Sequence, residues 1–94
     1  MFDDEIRVKI LKALADQVRL EIIRTLYLIN EEMGCGQISE GMEVGNSTIS
    51  YHLKTLREAG LTYTRREGQN RYITLRKETF EKYLPGFLET LVKE

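Results

Sequence analysis

The sequence is poor in the residues that build crosslinks, metal centres and linkers. Its 94 residues hold one cysteine (Cys35), one histidine (His52), one proline (Pro85) and no tryptophan. A single thiol cannot form an internal disulfide framework, and its scarcity agrees with a reducing compartment. One Cys and one His fall short of the ligands, about four in total, that a zinc-like ion takes from soft donors. No apolar run approaches the roughly 20 residues needed to cross a bilayer. The opening Met1-Phe2-Asp3-Asp4-Glu5 is acidic where a signal peptide would be basic. A cytoplasmic chain without a membrane partner is expected. Catalytic arrangements are also missing. Ser50 and His52 lie two apart on an expected helix, so their side chains diverge. There is no glycine-rich phosphate loop and no paired-carboxylate motif, so an enzyme is not expected.

What is present is a charge asymmetry. The net charge is −1, which alone argues against a polyanionic partner. Residues 1–45 carry five Lys/Arg against nine Asp/Glu, a balance of −4, and residues 77–94 carry three against four. Residues 46–76 carry six (Lys54, Arg57, Arg65, Arg66, Arg71, Arg76) against two (Glu58, Glu67), a balance of +4. Phosphate binding depends on such a local basic surface, not on the global sum. A solvated charged face is the bland alternative.

The chain reads as one domain over residues 1–94, with no repeats or low-complexity tracts. Asp3 to Leu14 sets Ile6, Ile10 and Leu14 at steps of four, the stripe of an amphipathic helix. Asp16 is a good N-cap for a second helix, whose apolar residues cover much of its circumference until Gly34-Cys35-Gly36 stops it. A short third helix is expected from Gln37 to about Met42. A turn at Val44-Gly45-Asn46 leads into a fourth, Ser47 to Ala59, which Gly60 ends. Leu61 to Glu67 and Arg71 to Leu75 read as strands of a hairpin turning at Gly68-Gln69-Asn70. A final helix, Glu78 to Val92, should bend or break at Pro85-Gly86. The expected fold is mainly α with a β-hairpin: a winged helix-turn-helix of five helices and a two-stranded wing.

The fourth helix anchors itself through Ile49, Leu53 and Leu56. Its other face offers Ser47, Thr48, Ser50 and Tyr51, short donors and acceptors suited to base edges in a major groove, with Asn46 at the leading end. A merely solvated face would be richer in Glu and Lys. Lys54 and the hairpin residues Arg65, Arg66, Gln69, Asn70 and Arg71 are placed for phosphates. Residues 37–59 are therefore expected to be the helix-turn-helix and 61–76 the wing.

Leu14-Ala15-Asp16-Gln17-Val18-Arg19-Leu20, the run from Ser47 to Leu61, and Arg65-Arg66-Glu67-Gly68 with Tyr72-Ile73-Thr74-Leu75 together resemble the ArsR/SmtB-type repressors. The resemblance spans about Leu11 to Leu75 in register. It implies a homodimer joined through the helices of 1–15 and 77–94, bound to a double-stranded operator and released by an effector. By position, the base-contacting residues of such proteins fall on Asn46, Ser47, Ser50 and Tyr51. Ile6, Ile10, Phe80, Tyr83, Phe87 and Leu91 would form the dimer surface. The sequence departs from the pattern at Glu43, Gly45 and Arg71. The Cys-x-Cys pair of the family's metal sensors aligns with Gly34 and Gly36, so neither a metal nor another cofactor is expected and the effector is unknown. Cys35, lying between them, is a possible redox site and more simply a half-buried small residue. The alternative to a repressor is a winged-helix protein-interaction module with weak DNA binding.

Overall fold

The computed structural model describes residues 2–93; Met1 and Glu94, the outer ends of the two expected dimer segments, lie outside the described residues. The elements in order are α1 (Asp4–Leu14), α2 (Gln17–Ile29), β1 (Met33–Gly34), α3 (Cys35–Glu40), α4 (Asn46–Glu58), β2 (Thr62–Glu67), β3 (Asn70–Leu75), α5 (Lys77–Tyr83) and α6 (Phe87–Thr90).

Asp16 caps α2 as expected: its backbone is extended and its carboxylate accepts the Arg19 N–H at 3.0 Å. That contact holds the Asp16 carboxyl below its ordinary range, with burial opposing and the Arg19 charge assisting. The end of α2 differs from expectation. The helix stops at Ile29, because Asn30 adopts the left-handed conformation (φ 58°) and returns its N–H to Leu26 O at 2.9 Å. Asn tolerates this geometry better than most residues, so the glycines at 34 and 36 are not what ends the helix. The chain they belong to does other work. Met33-Gly34 forms β1, pairing antiparallel with β3 through Met33↔Ile73 and Gly34↔Tyr72. The sheet is thus three-stranded, in the order β1-β3-β2, and the wing carries a third strand at its base.

The final helix is two helices, giving six in all among the described residues. Pro85 has no N–H for an i−4 bond, and Gly86 takes φ 85°, so the chain turns at Leu84-Pro85-Gly86. The turn stacks the Phe87 ring on that of Phe80, with centroids 6.1 Å apart.

One apolar cluster takes side chains from nearly every element: Ile10 and Leu14 of α1, Ile22, Ile23 and Leu26 of α2, Ile38 of α3, Ile49, Leu53 and Leu56 of α4, Ile73 and Leu75 of β3, and Phe80 of α5. Two expected dimer residues are therefore misassigned. Ile10 is 1% exposed and Phe80 2%; both are consumed by the protomer's own core and offer no surface to a partner. Ile6 is exposed, while Tyr83, Phe87 and Leu91 are half-buried.

Candidate nucleic-acid interface

Three contacts fix the helix that carries the expected base-reading residues. The first is its own start: Gly45 is the N-cap, and Asn46, the first helical residue, accepts a hydrogen bond from the Ser39 hydroxyl of α3. This bond spans the turn of the helix-turn-helix. The second lies at its end, where Leu61 N–H reaches Leu56 O at 3.0 Å and Gly60 N–H reaches Arg57 O at 2.9 Å. Gly60 sits at φ 78° between them, which only glycine adopts without strain. Leu56 and Leu61 are both fully buried beside this closure, and Arg76 N–H ties Leu61 O to the end of β3 at 2.9 Å. The wing therefore leaves α4 in a defined direction.

The third is His52. Its burial and partners make it a helix-packing group and not a phosphate neighbour. His52 is 8% exposed, turned inward from the helix. Its Nδ1 accepts from the Arg19 guanidinium at 3.0 Å and lies 3.9 Å from the Asp16 carboxylate. Arg19 also donates to Ala13 O at 2.6 Å. One arginine thus binds the end of α1, the start of α2 and the middle of α4. Because guanidinium can only donate, Nδ1 is the accepting nitrogen in this arrangement.

With the apolar face of α4 consumed, Asn46, Ser47, Thr48, Tyr51 and Lys54 stand exposed along the other side and Ser50 is half-buried. Tyr51 is 62% exposed, its ring edge-on to His52. An exposed row of hydroxyls and an amide on a rigidly held helix can read base edges.

The hairpin divides its arginines. β2 and β3 pair through Thr64↔Ile73, Arg65↔Tyr72, Arg66↔Arg71 and Glu67↔Asn70. The two-residue loop has Gly68 at φ 62° in its first position, as a type II′ turn requires. Residues opposite one another share a face, and faces alternate along a strand. Ile73 is buried, so the face bearing Thr64, Arg66 and Arg71 is the one turned toward the helices. Arg71 confirms it by donating to the Ser50 hydroxyl of α4 at 3.4 Å. Arg65 lies on the opposite face, where Glu32 receives its Nε and Nη2 (3.1 and 2.6 Å) and Glu67 its Nη1 (2.8 Å). Its guanidinium covers the Tyr72 ring, 4.6 Å from the centroid. The hydrogen bonds from Arg65 hold the Glu32 carboxyl below its usual range. Of the residues expected to meet phosphate, Arg65 is thus already engaged by carboxylates. Gln69 and Asn70 are exposed at the tip.

Among the described residues, Lys54, Arg57, Arg66 and Arg71 enter no ion pair. Arg66 and Arg71 face each other directly across the ladder, an arrangement that repels unless an anion intervenes. Local rules are broken in this way mainly at functional sites. Arg76, by contrast, lies over the Tyr63 ring at 4.7 Å, and Tyr63 donates to Glu78 at 2.6 Å.

Cys35 opens α3, half-buried against the core. With Gly36, Arg71 and Tyr72 it lines a surface cleft of about 420 Å³. No three His, Cys, Asp or Glu side chains converge among the described residues. Among the described residues, no helix is long and apolar enough to cross a membrane.

Sequence reasoning missed Ser39, Glu32 and β1. Ser39 and Glu32 carry no local signal, since their roles depend on partners 7 and 33 residues away.

These features define a helix-turn-helix DNA-binding protein with a β-hairpin wing. A family model described as a helix-turn-helix domain matches residues 14–62. The chain is 56% identical over 89 residues, covering 95% of this chain and 89% of the other, to the uncharacterized HTH-type transcriptional regulator YceK of Bacillus subtilis. It is 40% identical over 65 residues to a putative arsenical resistance operon repressor, ArsR, of Halobacterium salinarum, covering 69% of this chain and 50% of that one. In structure it is similar to HlyU from Vibrio cholerae, with a TM-score of 0.77 and 33% identity over 97% of this chain and 94% of the other. The chain belongs to the ArsR/SmtB-type helix-turn-helix transcriptional regulators, a family of DNA-binding regulators and not of enzymes.

Proposed function

We propose that the protein is a homodimeric repressor that occupies a palindromic operator in the cytoplasm and leaves it when an effector binds, with no metal in its sensing step. Asn46, Ser47, Thr48 and Tyr51 read base edges, with Ser50 oriented by Arg71, while Lys54, Arg66 and Arg71 hold phosphates. Gln69 and Asn70 at the wing tip reach toward the adjacent groove. The observation that carries this reading is the opposed pair Arg66 and Arg71, without a carboxylate among the described residues, on the wing face that touches the hydroxyl-bearing helix.

The dimer reading rests on α1. Ile6, Val8 and Leu11 are each about half exposed, and Phe2 is 87% exposed. Beside them, Arg7 donates to Tyr83 O and lies over the Tyr83 ring, so α1 and α5 form one continuous surface. Arg24 joins α2 to Leu91 O at 2.7 Å, extending it past α6 to the exposed Leu28 and Val92. A second copy is the occupant that a chain with so small a core would gain most from. Repression follows most simply from occlusion of a promoter by a small bound dimer. One relative's name, operon repressor, agrees with it.

The test is a mobility-shift titration on the DNA upstream of the protein's own gene, in rising salt, with oxidant, reductant and divalent metals in parallel arms. Specific binding should weaken steeply with salt, and Arg66→Gln should flatten the log–log slope by about 0.9. Specific binding indifferent to both salt and Arg66→Gln would overturn the mechanism. Retained metal in the purified dimer would overturn its metal-free sensing step.

A further inference from the structure

We propose that Glu32 is a positioning residue for DNA binding: it clamps Arg65 and thereby holds the wing at the angle that presents Arg66 and Arg71 to phosphate, while Arg65 itself touches no DNA. The inference rests on the DNA-binding reading above and assigns a role to a loop that neither reads bases nor belongs to the helix-turn-helix.

Glu32 sits in the loop between α2 and β1, 33 residues before its partner. Both of its carboxylate oxygens are used by one guanidinium, at 3.1 Å to Nε and 2.6 Å to Nη2, the planar two-point geometry that fixes orientation as well as distance. Isolated surface ion pairs contribute little, but this one has further supports. Glu67 takes the remaining Nη1 at 2.8 Å, and the Tyr72 ring lies under the guanidinium at 4.6 Å. Tyr72 is on β3, opposite Arg65, and opposite Gly34 on the other side. The guanidinium therefore joins β2 and the neighbouring β3 to the loop that feeds β1, whose Gly34 pairs with Tyr72. β1 is only two residues long, too short to hold the hairpin by backbone bonds alone. The wing's outer half extends beyond it, and Arg65 is the last residue of β2 whose opposite number on β3 also pairs with β1.

The alternative is that Glu32 merely occupies Arg65 until a phosphate displaces it. The face on which Arg65 lies argues against this. Register sets it on the side of the hairpin away from Ser50 and α4, whereas Arg66 and Arg71 are on the near side.

The experiment measures binding of a fluorescein-labelled, random-sequence DNA duplex by anisotropy over a potassium chloride series, so that no operator need be known. Under the proposal Glu32→Gln and Arg65→Gln each weaken binding about fivefold at fixed salt, by loosening the wing. Both leave the salt slope at the wild-type value, and the double variant is no weaker than either single one. The charge-reversed pair Glu32→Arg with Arg65→Glu, which conserves net charge, recovers wild-type affinity. Arg66→Gln flattens the slope by about 0.9 in the same assay. Tighter binding by Glu32→Gln, a slope flattened by Arg65→Gln, or loss of binding in the reversed pair would each overturn the clamp. Hydrogen exchange without DNA gives an independent reading. Glu32→Gln should speed exchange across residues 66–71 while Ile22 and Leu56 keep their protection; an unchanged wing would refute the proposal. If the wild-type protein shows no salt-dependent binding, the DNA reading itself fails, and the exchange result still decides the clamp.

Discussion

α1 and α4 are amphipathic helices of similar length, 11 and 13 residues, and they spend their apolar residues differently. α4 buries every aliphatic it has: Ile49, Leu53 and Leu56 all lie in the core, leaving hydroxyls, an amide and cations outside. α1 buries Ile10, Ala13 and Leu14 and leaves Ile6, Val8 and Leu11 about half exposed. A helix with no aliphatic left over is fitted to a polar partner. One that leaves aliphatic residues half exposed is unfinished until another apolar surface covers them. DNA and a second protomer are thus matched to opposite features of two helices that touch the same core.

The sharpest way to break the comparison is to remove what the two helices share. Leu56→Ala leaves a cavity under α4, beside the Leu61 closure, and should cost about 2–5 kcal/mol, a large part of the stability of so small a domain. Thermal unfolding measures it, and DNA binding and assembly should fall together. Next in size, Ile6→Glu with Leu11→Glu places charges at two half-exposed aliphatic positions of α1 while leaving Ile10, Ala13 and Leu14 in the core. The protein should stay folded by circular dichroism and sediment as a monomer, with operator affinity reduced at least tenfold by loss of the second half-site. A folded double variant that remains dimeric would move the interface elsewhere. On α4, Ser47→Ala should leave fold, dimer and salt slope untouched and reduce discrimination between operator and random DNA by about 1–3 kcal/mol if Ser47 bonds a base. A uniform loss on both DNAs would make it a phosphate contact.

The two helices were also unequally legible. The burial of Ile49, Leu53 and Leu56 follows from spacing, because a polar opposite face leaves one orientation. For α1 and α5 spacing could not divide residues between core and partner. Ile10 and Phe80 lie on the same stripes as Ile6 and Tyr83, and only the positions of α2 and α4 settle which end of each stripe is covered. The wing shows a stricter limit. Reading its turn as Gly68-Gln69-Asn70 sets Arg65 opposite Ile73, on the inward face. The observed loop is one residue shorter, pairs Glu67 with Asn70, and moves Arg65 opposite Tyr72. Such a one-residue slip exchanges the faces of β2, so which of Arg65 and Arg66 turns toward the helices follows from it, and spacing alone named both for phosphate. β1 was out of reach altogether, since two residues become a strand only when β3 lies beside them.

The smallest expected effect tests the junction through which α4 and α1 communicate. Asp16 caps α2, and Arg19, whose N–H it accepts, bonds both Ala13 O at the end of α1 and His52 in α4. The Asp16 carboxyl is held below its ordinary value chiefly by the Arg19 N–H, so the folded state favours the charged form. The sign follows from linkage. The stabilisation is complete above the unfolded carboxyl's pKa of about 3.9 and is lost as pH falls through that value toward the lower native one. Asp16→Asn retains a capping oxygen and the N–H bond but not the charge, and should cost less than the about 1 kcal/mol expected for Asp16→Ala. It should also remove part of the acid-induced loss. In thermal unfolding at neutral pH the Asn variant should melt slightly below wild type, with the difference shrinking as the pH is lowered into the acid range. A gap that widens instead would mean that the carboxylate is strained in the native state, and that the bond from Arg19 to His52 stands without it.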